Sequence, residues 1–178
     1  MLFALLAAGI FSCKNNESQS REHGIKTGED PWTVKMKAKI LADFSLGTDS
    51  TLTKELPDGI FYELKKYRQG HLVLQQIKSK QGDLTVTEVI YAGNGHFEIR
   101  REYCKNGQMA FEGIVSNDDF YGQSTWWECD GRVYRQGMKY RSKLFGKWYF
   151  DMTDSTKMRM DSYGLLEHYD SLDRMEFK

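Results

Sequence analysis

Apolar and polar residues alternate strictly from Trp32 onward. Trp32, Val34, Met36, Ala38, Ile40 and Phe44 fall on one face, and Thr33, Lys35, Lys37 and Lys39 on the other. A period of two predicts a half-buried β-strand with a lysine-rich solvent face. Gly47 to Pro57 is polar and reads as a loop. The next segment, Ile60 to Tyr67, admits two readings: Phe61, Leu64 and Tyr67 stand near helical spacing, while Gly59 before them and Gln69-Gly70 behind them suit a hairpin. The hairpin is the expectation. His71 to Ile77, Leu84 to Tyr91 and Phe97 to Tyr103 follow as strands, parted by Gln81-Gly82-Asp83 and Gly93-Asn94-Gly95. Short turns between successive strands predict an antiparallel meander.

Beyond residue 100 the pattern repeats. Tyr103-Cys-Lys-Asn-Gly-Gln-Met-Ala-Phe-Glu-Gly113 is answered 24 residues later by Trp127-Glu-Cys-Asp-Gly-Arg-Val-Tyr-Arg-Gln-Gly137. Aromatic Tyr103 matches Trp127, Asn106-Gly107 matches Asp130-Gly131, Met109 matches Val133, and Glu112-Gly113 matches Gln136-Gly137. Asn-Gly and Asp-Gly tolerate positive φ at both centres of a type I′ turn, so each block reads as a hairpin, with the second Gly marking a further turn or a bulge. Gly122-Gln-Ser-Thr-Trp126-Trp127 likewise recurs as Gly146-Lys-Trp148-Tyr-Phe150-Asp151. The period then decays, since Asp154-Ser155 replaces the turn and Met160-Asp161 the Gln-Gly pair, as terminal units of a stack do.

The matched residues, Tyr103, Gly107, Glu112 and Gly113, then Gly122, Trp127, Gly131 and Gly137, then Gly146 and Trp148, resemble the bacterial variant of the MORN repeat (membrane occupation and recognition nexus). The resemblance is clear over roughly residues 98 to 161, and Tyr67-Arg-Gln-Gly70-His-Leu72 and Tyr91-Ala-Gly-Asn-Gly95 echo it loosely. It implies an all-β array of stacked hairpins with no intrinsic catalytic centre, and an antitoxin-like, partner-sequestering role for some members. A repeat of this kind describes a scaffold and not a site.

Leu2 to Phe11 is an unbroken run of apolar or small residues, too short to span a bilayer, that ends at Ser12-Cys13. Ile10-Phe11-Ser12-Cys13 resembles a lipobox, with Cys13 as the lipid-modified first residue of a mature lipoprotein. No Lys or Arg precedes the run and Phe11 is bulky for its place, which departs from that pattern. Lys14 to Glu22 is polar tether material. The expected organisation is a signal peptide over residues 1 to 12, a tether over 13 to 30, an N-terminal β region over 31 to 97 that continues or caps the array, and the repeats over 98 to 178.

Composition narrows the chemistry. Lys plus Arg and Asp plus Glu are 25 each and no long block of one sign occurs, so nothing points to nucleic acid. Aromatic residues make 13% of the chain against two prolines, which fits β structure. His23, His71, His96 and His168 are scattered without metal-ligand spacing. Asp118-Asp119, Asp151, Asp154 and Asp161 lack the spacing of a calcium loop and read as solvated turn residues. No nucleophile elbow, phosphate loop or dinucleotide fingerprint is present, so the expectation is a protein that is not an enzyme and takes no cofactor or metal.

Cys104 aligns with Glu128 and not with Cys129, and equivalent strands of stacked hairpins stand about 9 to 10 Å apart. No Cys104–Cys129 bridge is expected on that spacing. Trp127, as the counterpart of Tyr103, is expected in the core. Trp126 then faces the other way, beside Phe150, and the two are candidates for a binding face, with Gln123 a polar flank. The function expected is that of a non-catalytic, lipid-anchored cell-envelope scaffold for an unidentified protein partner. A carbohydrate or small-ligand module using the aromatic face, and the antitoxin-like role, are the alternatives.

Overall fold

The computed structural model describes residues 29–93 and 95–150. Cys13, the whole N-terminal leader and the decaying end of the repeat beyond Phe150 lie outside the described residues. The described chain is one α-helix, α1 (Pro31–Phe44), followed by nine strands: β1 (Ser50–Glu55), β2 (Phe61–Arg68), β3 (His71–Ser79), β4 (Thr85–Tyr91), β5 (Glu98–Tyr103), β6 (Met109–Ser116), β7 (Asp119–Trp127), β8 (Val133–Tyr140) and β9 (Lys143–Phe150). The strands form a single antiparallel sheet in sequence order, an open meander of hairpins.

The first element differs from its expectation. Residues 31 to 44 are helical because the alternating pattern also places Trp32, Met36 and Ile40 four residues apart, and these are buried while Val34 is 45% exposed. The flanking chemistry decides between the periods. Pro31 opens the helix, and the Asp30 carboxylate accepts from Thr33 N at 2.9 Å as its N-cap. A strand there would face Val34 into the core and leave the Asp-Pro start without a purpose.

The turns carry the period further than the side chains do. β2, β4, β6 and β8 begin at Phe61, Thr85, Met109 and Val133, each 24 residues after the last. Left-handed backbone recurs in step at Gly59, Asp83, Gly107 and Gly131. At Gly107 the amide donates to Cys104 O and Cys104 N donates to Gln108 O, both 2.8 Å; Gly131, Glu128 and Arg132 repeat the arrangement with the same distances. Asn106 and Asp130 do not take positive φ, so these are not the type I′ turns expected of them. Their side chains instead accept the amide two residues on, at 3.1 Å from Gln108 and 2.9 Å from Arg132. The two-residue turns with both centres left-handed lie at the opposite end of the sheet, at Gln69-Gly70, Asn117-Asp118 and Arg141-Ser142.

The core lies between α1 and the sheet. Trp32, Met36 and Ile40 pack on Leu74, Ile90, Ala92, Phe97, Ile99, Ile114, Tyr121 and Met138. The helix crosses β4 to β7 and is seated on two glycines. Gly122, with φ 67°, leaves room for Trp32 and Thr33, and the Gly93 amide donates to the Asp43 carboxylate at the other end. Asp30 N donates to Gln123 Oε1 at 2.7 Å, and Gln123 N donates to Thr33 Oγ1 at 2.7 Å, which ties the helix start to β7.

Cys104 and Cys129 form a disulfide with a Cα–Cα distance of 5.7 Å, which overturns the expectation of no bridge. The strand-spacing argument holds for residues within the ladder, but both cysteines stand just outside it, in the β5–β6 and β7–β8 turns at the same end of the sheet. Turn residues are free to lean across the gap left by the intervening hairpin. Asn106 Nδ2 donates to Cys129 O at 2.7 Å and holds the two turns together beside the bridge.

Candidate binding face

The two faces of the sheet carry different chemistry. On the helix side, beyond the apolar core, ionic groups pair in a chain. Arg101 donates to Glu112 at 2.8 Å and to Glu88 at 3.1 Å, Lys37 of α1 pairs with Glu112, and Gln76 Nε2 donates to Glu88 at 2.6 Å. Burial works against an ionised Glu112, but Lys37 and Arg101 outweigh it and hold its carboxyl below the usual range. Tyr103 donates to Glu88 at 3.1 Å; burial, then the Glu88 charge, pushes its hydroxyl up to about 12. Each group here has its partner, so the network fastens α1 to the sheet rather than standing open to a ligand.

The outer face is different. Register places Phe111, Trp126, Arg135 and Phe150 in a row across β6 to β9, since Phe111 pairs Trp126, Trp126 pairs Arg135 and Arg135 pairs Phe150. Trp148, two residues before Phe150, lies over Gly137, where a Cβ would stand 2.2 Å from Trp148 Cδ2. Glycine at 137 is therefore required by the indole, and the same holds in milder form at Gly113, whose Cβ would meet Phe111 Cζ at 2.9 Å. Both glycines sit inside strands at register shifts, as bulges rather than turns. The rings touch in sequence: Phe111 to Phe120 at 5.6 Å, Phe111 to Trp126 at 4.9 Å, Trp126 to Trp148 at 6.2 Å and Trp148 to Phe150 at 5.8 Å.

Two cations rest on this row. Arg135 Cζ is 4.5 Å from the Trp126 ring centre, 5.2 Å from Trp148 and 5.5 Å from Phe150. Lys139 Nζ is 4.3 Å from Phe120 and 4.9 Å from Trp126. Aromatic faces attract both charges. Burial, and then repulsion from Arg135, lowers the Lys139 pKa from its ordinary value. Among the described residues no carboxylate pairs with either cation, and Arg135 Nε and Ser124 Oγ are buried without hydrogen-bond partners.

Of the residues singled out in the sequence, Trp126 and Phe150 share one face, half-buried, with Arg135 between them. Trp127 faces the opposite way and is half-buried, outside the core cluster in which it was expected. Tyr103 is likewise half-buried, at the Glu88 network. Gln123 does not flank Trp126; it is 6% exposed on the helix side and committed to Asp30 and Thr33. Gly107 and Gly131 are turn residues, Gly122 receives the helix, and Gly146 lies in β9 two residues before the buried Trp148. Asp118 pairs with Arg100 at 3.0 Å, and Asp119 accepts from Ser142 Oγ at 2.9 Å. Arg135 and Lys139 were not singled out. Their signal is the alternation Arg135-Gly137-Lys139 within a strand, which puts both long cations on one face with a bare α-carbon between them.

No family model, curated protein or solved structure matches the chain. The resemblance to MORN-type repeats therefore rests on the chain's own residues.

Proposed function

We propose that this is a non-catalytic envelope protein, anchored through lipid at Cys13, whose MORN-like hairpin array binds a protein partner. The outer face of β7 to β9 carries this reading, because it presents half-buried aromatic rings and two cations that no described acid neutralises. Aromatic and arginine side chains are what interfaces use as anchors. The Cys104–Cys129 bridge supports export, since such bonds persist in oxidising compartments. It also leaves Cys13 as the third cysteine with no other cysteine of the chain to pair with. The same bridge speaks against the antitoxin-like role, which belongs in a reducing cytoplasm.

A photo-crosslinking residue at exposed Leu144, beside this face, tests the reading in cells that make the full chain. The expected result is one discrete protein adduct that disappears in a Trp126→Ala background and is not formed from Leu52 on β1. Equal adducts from both positions, or one indifferent to Trp126, would reject it.

A second reading, a carbohydrate or small-ligand module on the same face, is favoured by the stacking of Arg135 among Trp126, Trp148 and Phe150.

A further inference from the structure

Arg135 and Lys139 stand on alternate outward positions of β8 with only Gly137 between them, and both side chains turn onto the same indole, that of Trp126. Two like charges gathered on a half-buried apolar floor repel each other and lose hydration. The helix side of this sheet shows what happens when such charges serve the fold: Arg101 and Lys37 are met by Glu88 and Glu112. Further along the outer face Arg100 has Glu98, but across β7 to β9 no acid among the described residues pairs with Arg135 or Lys139. The guanidinium packs on three rings, its buried Nε has no acceptor, and its terminal nitrogens can offer a carboxylate two-point geometry. Lys139 adds a point charge beside Phe120, so apolar ring surface lies on both sides of the charged centre, Phe120 at one end and Phe150 at the other.

We propose that Arg135 and Lys139 bind the carboxylate of an acidic sugar, a hexuronate unit of a glycan, whose ring lies on the aromatic surface of Phe120, Trp126 and Phe150. The inference rests on the second reading above and names its ligand. A sugar ring uses both features of the site, its C–H face on the rings and its acid on the cations. An acidic peptide side chain would use the charges and leave the rings idle.

The test is binding of polygalacturonate to the full mature chain, followed by tryptophan fluorescence at low and moderate salt, with dextran and polyglutamate as comparison polymers. Polygalacturonate is expected to bind and dextran not to bind. Arg135→Gln and Lys139→Gln are each expected to weaken binding at least tenfold, and Glu112→Gln on the opposite face to leave it unchanged. Because Lys139 has no acid partner among the described residues, Lys139→Gln is also expected to keep the unfolding midpoint of the unliganded chain or raise it, so its binding loss is read on a folded protein. Absence of polygalacturonate binding, binding indifferent to both cations, or polyglutamate bound as tightly as the glycan would each overturn the proposal. The Leu144 adduct persisting while glycan binding fails would leave the protein-partner reading standing without this one.

Discussion

Trp32 lies against the bare α-carbon of Gly122, where a Cβ would stand 2.6 Å from Trp32 Cζ3 and 2.6 Å from Thr33 Oγ1. The glycine serves twice, since its φ of 67° also belongs to the left-handed region. Gly122→Ala is expected to destabilise the protein by roughly 2–4 kcal/mol, the sum of left-handed strain and overpacking. Gly107→Ala shares the positive φ but has open space around it, so its expected cost is about 1 kcal/mol. Urea unfolding of the two variants separates packing from backbone strain, and equal losses would contradict the seating of the helix on Gly122.

The disulfide joins two turns across 25 residues of sequence. Replacing both cysteines by serine, Cys104→Ser with Cys129→Ser, is expected to lower stability by about 3 kcal/mol through the freedom returned to the unfolded chain. Unfolding curves of the double variant and of the parent under reducing conditions are expected to coincide.

Acid sensitivity follows from Glu112. Its carboxyl is held below the ordinary value in the folded state despite burial, by Lys37 and Arg101. The associated stability is therefore complete above the unfolded carboxylate pKa and is lost as pH falls through the lower, folded one. Glu112→Gln is expected to be less stable at neutral pH and to show a shallower fall in stability below about pH 4.5. A variant with the parent's acid slope would remove Glu112 from that role.

Ser124 is fully buried, and its hydroxyl has no partner among the described residues. Ser124→Ala removes an unsatisfied polar atom at almost constant volume and is expected to stabilise by about 1 kcal/mol. A destabilised variant would show that the hydroxyl is paired in solution.

The meander and its turns were legible because Gly59, Gln69-Gly70, Gly107 and Gly131 announce reversals wherever the side-chain pattern is blurred. Upstream of Tyr103 the repeat hides in sequence, since Asp83 takes the left-handed place that glycine holds at 59, 107 and 131. The helix was misread because a stripe at Trp32, Met36 and Ile40 satisfies a period of two and a period of four equally, and only the Asp30-Pro31 start separates them. The disulfide was hidden for another reason: ladder spacing says nothing about residues one or two steps outside a ladder. At the binding face the aromatic pair Trp126 and Phe150 could be read from alternation, but the convergence of Arg135 and Lys139 on one ring depends on Gly137 and on Trp148 filling its place, which is a matter of packing.

The most direct measurement of the account is the intact mass and membrane fractionation of the full chain expressed in a bacterial host, beside Cys13→Ala. A membrane-bound chain that has lost residues 1 to 12, carries diacyl or triacyl mass at Cys13 and lacks the two thiol hydrogens of Cys104 and Cys129 is the predicted result. An unmodified chain in the soluble fraction with all three thiols free would contradict the proposal of an anchored, exported binding scaffold.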